Sequence, residues 1–387
     1  MYRMRQETVV GWPSALIAGA MLAGQLGSAN AHPGFSIGAS RHSTLLARPI
    51  AVFGPDQRAP LPANLLPMRE KLGVLFNVMQ RTVCTAFCVA PSIIGTAAHC
   101  LYKTNGEKAP RLADFWFARN YDAVRDYARV AGYRTGASAQ SVIAGSSSLS
   151  TTPPIAATKD WAFIRLSSSV CSKGVFDMEA IPVEQIIEAS KAGRVFQISY
   201  HKDYKQWQPA FSRPCAFGRS FENAPWSIIA ADFTGPEDLL LHRCGTGGAS
   251  SGSPLLLDTP QGIKVIGINV GTYVQSRTVL RDERTTERTA GIALANTGVA
   301  SAAFVGQFST FRDAHMLGSV SAIRELQERL QKIGHYKGAI DGTYGPTVKL
   351  AIEAYEASMN LPATGLASDN ILQKLRSTGP IAPGKTR

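Results

Sequence analysis

Three short stretches of this chain carry residue types that could together cleave an acyl bond. Thr96-Ala97-Ala98-His99-Cys100 offers an imidazole and Lys159-Asp160-Trp161-Ala162-Phe163-Ile164 a carboxylate. Cys244-Gly245-Thr246-Gly247-Gly248-Ala249-Ser250-Ser251-Gly252-Ser253-Pro254 offers hydroxyls in a glycine-rich bend. A serine attacks a carbonyl only when a base takes its proton and backbone N–H groups receive the oxyanion. Histidine exchanges protons near neutral pH, and a carboxylate behind it fixes its tautomer. Taken singly, each stretch has a plainer reading: a packed core histidine, an aspartate opening a turn, a loop without chemistry. Together they hold the residue types of a base, an orienting acid and a nucleophile.

Two serines compete for the last role. Gly248-Ala249-Ser250-Ser251-Gly252 also fits G-x-S-x-G, the strand-to-helix elbow that would make Ser250 the nucleophile. That elbow belongs to a fold of alternating βα units whose histidine follows the serine. Beyond the loop the only histidines are His315 and His335, far from any such context. The elbow reading is therefore disfavoured.

The elements that must position these residues read as strands. From about 71 to 305, short β-type runs alternate with turn signals, as at Gly73–Val78, Trp161–Leu166 and Ile263–Ile268. Such spacing belongs to a barrel or sandwich. Only Met178–Ala192 reads as helical there. After about 318 the period changes: Ile323, Leu326, Leu330 and Ile333, then Val348, Ile352 and Tyr355, then Ile371, Leu372 and Leu375 recur at helical spacing. A chain of 387 residues has room for two domains. The expected division is a signal peptide over 1–31, an extended N-terminal or pro-segment over 32–70, a β-rich domain over 71–305, a linker over 306–317, a helical domain over 318–376 and a frayed tail over 377–387.

Arg3 and Arg5 precede an apolar stretch that ends at Ala29-Asn30-Ala31, the order of a secretory signal cut after Ala31. Pro13 and Gln25 interrupt that stretch, which argues against a stable membrane span. A secreted or periplasmic protein follows, with its six cysteines oxidised. The net charge of +12 is spread along the chain, and no basic run or zinc-finger spacing points to nucleic acid. No C-x-x-C pair, H-E-x-x-H or phosphate loop occurs, so no metal or nucleotide cofactor is expected.

On these motifs, residues from about 50 to 305 resemble the trypsin-like (chymotrypsin-fold) serine peptidases, and most of all the bacterial glutamyl endopeptidase branch. Val52-Phe53-Gly54-Pro55-Asp56-Gln57-Arg58 resembles the G-x-D-x-R stretch near the mature start of such enzymes. Ile198-Ser199-Tyr200-His201, Cys215 and Leu241-His242-Arg243-Cys244 resemble their approach to the nucleophile loop. The resemblance implies a mainly β fold of two antiparallel β-barrels with a cleft between them holding His99 as base, Asp160 as the orienting acid and Ser251 as nucleophile. It implies an oxyanion hole from the N–H groups of Ala249 and Ser251, and a primary pocket near Gly245, Thr246, Asn269 and Gly271. It also implies disulfides Cys84–Cys100 and Cys215–Cys244, leaving Cys88 and Cys171.

The chain departs from the family at several positions. Ser250 stands where animal trypsins carry the aspartate that receives the freed N-terminal amine. Ala249 replaces the usual glycine of the oxyanion bend, at roughly 1 kcal/mol if its φ is positive. Val270 replaces a serine that helps hold the triad aspartate in many relatives. Gly245 offers no acid for Arg or Lys, and Asn269 stands where glutamyl endopeptidases have a histidine. Cleavage after uncharged residues is the expectation.

From Ser321 to Leu375 the leucines, together with Gly334, Gly338, Ile340-Asp341-Gly342, Tyr344-Gly345-Pro346-Thr347 and Thr364-Gly365, resemble the three-helix peptidoglycan-binding domain of bacterial wall enzymes. The expected protein is a secreted serine endopeptidase acting on proteins or peptides by acyl-enzyme chemistry, localised to the envelope by residues 318–376. The alternative is a weakly active or inactive homologue that binds the cell wall or a protein partner.

Overall fold

The computed structural model describes residues 52–377, apart from 104–109, 122–125, 135–136, 206, 213–214, 222–223, 276–277, 283–284 and 289–291. The expected signal peptide, the first part of the segment after it, and residues 378–387 lie outside the described residues. All described residues belong to one unit, Arg48–Arg387.

The first strand of the described residues is the short β1 (Arg58–Pro60), and a first sheet follows from β2 (Leu72–Asn77), β3 (Thr82–Ala90), β4 (Ile93–Thr96), β5 (Trp116–Arg119), β6 (Tyr127–Arg129), β7 (Val142–Ala144) and β8 (Ala162–Arg165). Their spatial order is β6-β5-β2-β3-β4-β8-β7, every pair antiparallel. A bridge between Val130 and Leu166 joins the chain beyond β6 to the chain beyond β8, curling the sheet back on itself.

The second sheet follows: β9 (Asp177–Met178), helix α1 (Val183–Lys191), β10 (Val195–Ser199), β11 (Ala210–Ser212), β12 (Phe217–Gly218), helix α2 (Trp226–Ala231), β13 (Leu239–His242), β14 (Pro254–Thr259) and β15 (Gly262–Gln275). A two-stranded ribbon, β16 (Thr278–Asp282) and β17 (Thr285–Arg288), precedes β18 (Ile292–Ala300). The order is β1-β11-β10-β14-β15-β18-β13-β12, with β9 added in parallel to β15. Residues of both sheets share one core, including Phe87 and Phe163 from the first and Ile198, Leu256 and Val265 from the second. The mainly β class expected of the sequence, with a small helical domain behind it, is the class observed.

Two stretches differ from their expected form. Arg58–Pro60, read as part of an extended N-terminal segment, pairs with β11 as an edge strand of the second sheet. The stretch read as a linker contains helix α3 (Val305–Asp313), with Phe308 and Phe311 buried. Phe304 meets Phe163 of β8 edge to face and Phe308 meets it at a tilt, at 5.5 and 4.8 Å between centroids. Three phenylalanines at helical spacing were the available signal, and burying them outweighs the polar residues between them.

Helices α4 (Val320–Lys332), α5 (Pro346–Ser358) and α6 (Asp369–Ser377) pack around a core of Ile323, Leu326, Leu330, Val348, Ile352, Tyr355, Ile371, Leu372 and Leu375. Ser319 caps α4 by accepting from the N–H of Ala322. The buried amide of Gln327 accepts from the N–H of Gly342 and donates to Asp341, whose carboxylate also accepts from the N–H of Thr343. No helix of the described residues is long and apolar enough to cross a membrane.

Candidate active site

β4 and β8 are neighbours, with Thr96 opposite Ala162. The end of one and the start of the other therefore lie side by side, and each is flanked by a single helical turn. The turn after β4 carries His99, and the turn before β8 ends at Asp160. Asp160 grips the histidine at two points: Oδ1 accepts the backbone N–H of His99 at 2.8 Å, and Oδ2 meets Nδ1 at 2.7 Å. Nδ1 is thus the protonated nitrogen and Nε2 the basic one. Burial pushes the imidazole pKa down, but the Asp160 charge and hydrogen bond outweigh it and leave His99 above the ordinary histidine value. Cys84 and Cys100 lie beside the ring but are bonded to each other, so neither sulfur is a free metal ligand. The other disulfides are Cys88–Cys171 and Cys215–Cys244.

The glycine-rich loop that carries Ser251 joins β13 to β14 and is tied down atom by atom. The carbonyl of Ser250 accepts from Ser253 N–H (3.1 Å), Ser253 Oγ (2.7 Å) and Asn269 Nδ2 (3.1 Å). The carbonyl of Ala249 accepts from Thr85 Oγ1, and that of Ser251 from Thr85 N–H. Gly252 packs so closely that a Cβ there would lie 2.1 Å from Thr96 Oγ1 and 2.9 Å from the nitrogen of Ala97. The residue after Ser251 is thus pressed against the segment that leads into His99. Among the described residues, the N–H groups of Ala249 and Ser251 donate to nothing within the protein. Ala249 has φ +79°, a left-handed conformation that costs a non-glycine residue roughly 1 kcal/mol. Ser251 Oγ makes no hydrogen bond to His99 Nε2, a contact that commonly tightens only when substrate is bound.

The expected pocket residues separate. Gly271 and Thr272 border a cleft of about 390 Å³ that also touches His99, Asp160, Leu149, Phe233, Val270 and Tyr273. Val270 falls at a bulge between β15 and β18, beside the aspartate, and brings no hydroxyl there. Gly245 instead borders a smaller hollow with Phe53 and Arg243. Thr246 and Asn269 are buried. Asn269 serves as a strut: Cys244 N–H donates to His242 Nδ1, His242 Nε2 to Asn269 Oδ1, and Asn269 Nδ2 to the Ser250 carbonyl. Thr246 and Thr272 both donate to Asn296 Oδ1, at 3.0 and 2.9 Å. Ser250, the rival nucleophile, is buried, and among the described residues the one parallel pairing between named strands is β9 with β15.

Sequence reasoning missed Thr85, Asn296 and His242 as supports of this site. Each is a buried polar residue in an otherwise apolar strand, and that pattern was the readable signal.

No curated protein matches the chain. Among solved structures it is similar to one described as a Glu endopeptidase in complex with MPD, at 14% identity and a TM-score of 0.41, covering 68% of this chain and 98% of that one. It is also similar to the protease Anisep from Arthrobacter nicotinovorans, at 15% identity and a TM-score of 0.37, covering 60% of this chain and 90% of that one. A third, a thermostable serine protease AL20 from an extremophilic microorganism, has 15% identity and a TM-score of 0.35, covering 60% and 92%. Residues 319–375 match the model of the putative peptidoglycan binding domain, and the chain carries that domain behind its two β-sheets.

Proposed function

We propose that this protein is a secreted serine endopeptidase held at the cell envelope by its C-terminal domain. Ser251 attacks the scissile carbonyl while His99 Nε2 takes the hydroxyl proton. The N–H groups of Ala249 and Ser251 receive the oxyanion, and His99 passes its proton to the leaving amine. Water then repeats the sequence on the acyl-enzyme, with Asp160 stabilising the imidazolium in both halves. The observation that carries this reading is the two-point Asp160–His99 contact together with two backbone donors that have no acceptor among the described residues. The domain boundaries proposed are those expected from the sequence, with the cell wall contacted through residues 318–376.

A fluorophosphonate probe tests the chemistry. It should label the wild type and Ser250→Ala but not Ser251→Ala, and label His99→Ala at a strongly reduced rate. The reverse pattern for the two serines would overturn the assignment. Co-sedimentation of the full chain with purified peptidoglycan tests the anchor. A weakly active binding protein is the second reading, favoured by the left-handed Ala249, and it predicts binding to the wall without labelling.

A further inference from the structure

The stretch Val52–Pro60 is docked on the nucleophile side of the second sheet: β1 pairs with β11, and the Arg243 guanidinium lies 5.2 Å from the Phe53 ring centre. The Arg58 side chain, only 4% exposed, is held between two carboxylates. It reaches Asp56 through Nε and Nη2, at 3.0 and 2.8 Å, and Asp203 through Nη1 and Nη2, at 3.0 and 2.9 Å. This assembly lies directly under the nucleophile loop. A Cβ on Gly247 would stand 2.1 Å from Asp203 Oδ1 and 2.7 Å from Arg58 Nη1.

Beside Asp203, the backbone N–H of Lys202 donates to the Gly248 carbonyl at 2.7 Å. In a planar trans peptide the carbonyl of Gly248 and the N–H of Ala249 point opposite ways. Fixing the carbonyl therefore aims the N–H. Ala249 occupies a backbone region that persists only where its surroundings impose it. Ser250 carries no charge and supplies no ionic anchor to this bend.

Resting on the peptidase reading above, we propose that Arg58 is a positioning residue for the oxyanion hole. It fixes Asp203, and through the Lys202–Gly248 hydrogen bond it holds the Ala249 N–H toward the reacting oxygen. The consequence is that any maturation cut must fall before this stretch. A planar guanidinium bridging two carboxylates is a task that lysine performs poorly.

The test compares full-length Arg58→Met, Arg58→Lys and Asp203→Asn with wild type on one peptide substrate. Removing an oxyanion donor costs about 10²–10³ in kcat, so Arg58→Met and Asp203→Asn should approach that loss with KM changed by no more than about twofold. Affinity for a peptide aldehyde, which forms the oxyanion, should fall in parallel, while affinity for the product peptide stays constant. Arg58→Lys should recover part of kcat. Folded Arg58→Met and Asp203→Asn with kcat within about threefold of wild type would overturn the proposal. If Arg58→Met fails to fold, the isosteric Asp203→Asn decides alone. A wild type that never reacts with fluorophosphonate would instead overturn the peptidase reading, and this proposal with it.

Discussion

Thr85 donates its backbone N–H to the carbonyl of Ser251 at 2.9 Å, binding a strand of the first sheet to the glycine-rich loop of the second. Its hydroxyl donates to the Ala249 carbonyl at 2.8 Å and accepts from the N–H of Tyr200 at 3.0 Å, and its carbonyl accepts from Thr96 Oγ1. One fully buried residue thus touches both sheets and the approach to His99. Thr85→Val keeps the shape but leaves the Tyr200 N–H and the Ala249 carbonyl unpaired. Urea unfolding should show a loss of about 1–3 kcal/mol, with Thr85→Ser close to wild type.

Ala249→Gly relieves the left-handed strain without removing the N–H. A gain of roughly 1 kcal/mol at most is expected, offset in part by the greater freedom of glycine when unfolded. The labelling rate should be equal to or above that of wild type. A slower rate would show that the alanine methyl is needed in the bend.

In the proposed mechanism the raised pKa of His99 sets the acid limb of activity. Attack requires the neutral imidazole, so kcat/KM should rise with pH through a midpoint above 6.5. Asp160→Asn should move that midpoint downward and lower kcat by about 10⁴, a drop seen when the tautomer is lost. The same pair bears on stability with the opposite sense. Its contribution is fully present below the unfolded histidine pKa and fades as pH climbs through the folded value.

His242 behaves in the reverse way. Burial holds it neutral, with a pKa pushed down to about 3, and both ring nitrogens are used in the neutral form. The unfolded chain takes up a proton there that the folded chain refuses, so stability falls as pH drops below the ordinary histidine value. His242→Gln retains a donor for Asn269 and does not titrate. Its acid-unfolding midpoint, followed by near-UV circular dichroism, should lie at lower pH than that of wild type.

Alternation of apolar residues made the strands legible, and the three C-terminal helices were visible in the spacing of Ile323, Val348 and Ile371 with their partners. His99 and Asp160 could be paired from motif and chain order, and the structure joins them. The roles of Asn269 and Gly245 were not legible. Whether a residue on β15 faces a cleft or a carbonyl depends on the bulge at Val270, which shifts the register without leaving a sequence mark. Helix α3 was missed because a stretch with Gly306, Ser309 and Thr310 reads as a connector until the sheet that covers its phenylalanines is in place.

That helix changes what anchoring means. Arg165 of β8 donates to the Phe311 carbonyl at 2.6 Å, and the N–H of Leu317 donates to the Ala367 carbonyl at 2.8 Å, so the chain between the two domains is held at both ends. A wall-bound copy would work as a tool on a bracket and not as one on a leash. It could trim only what diffuses or grows into its mouth, and its targets would be chosen by where it is fastened as much as by what its cleft accepts.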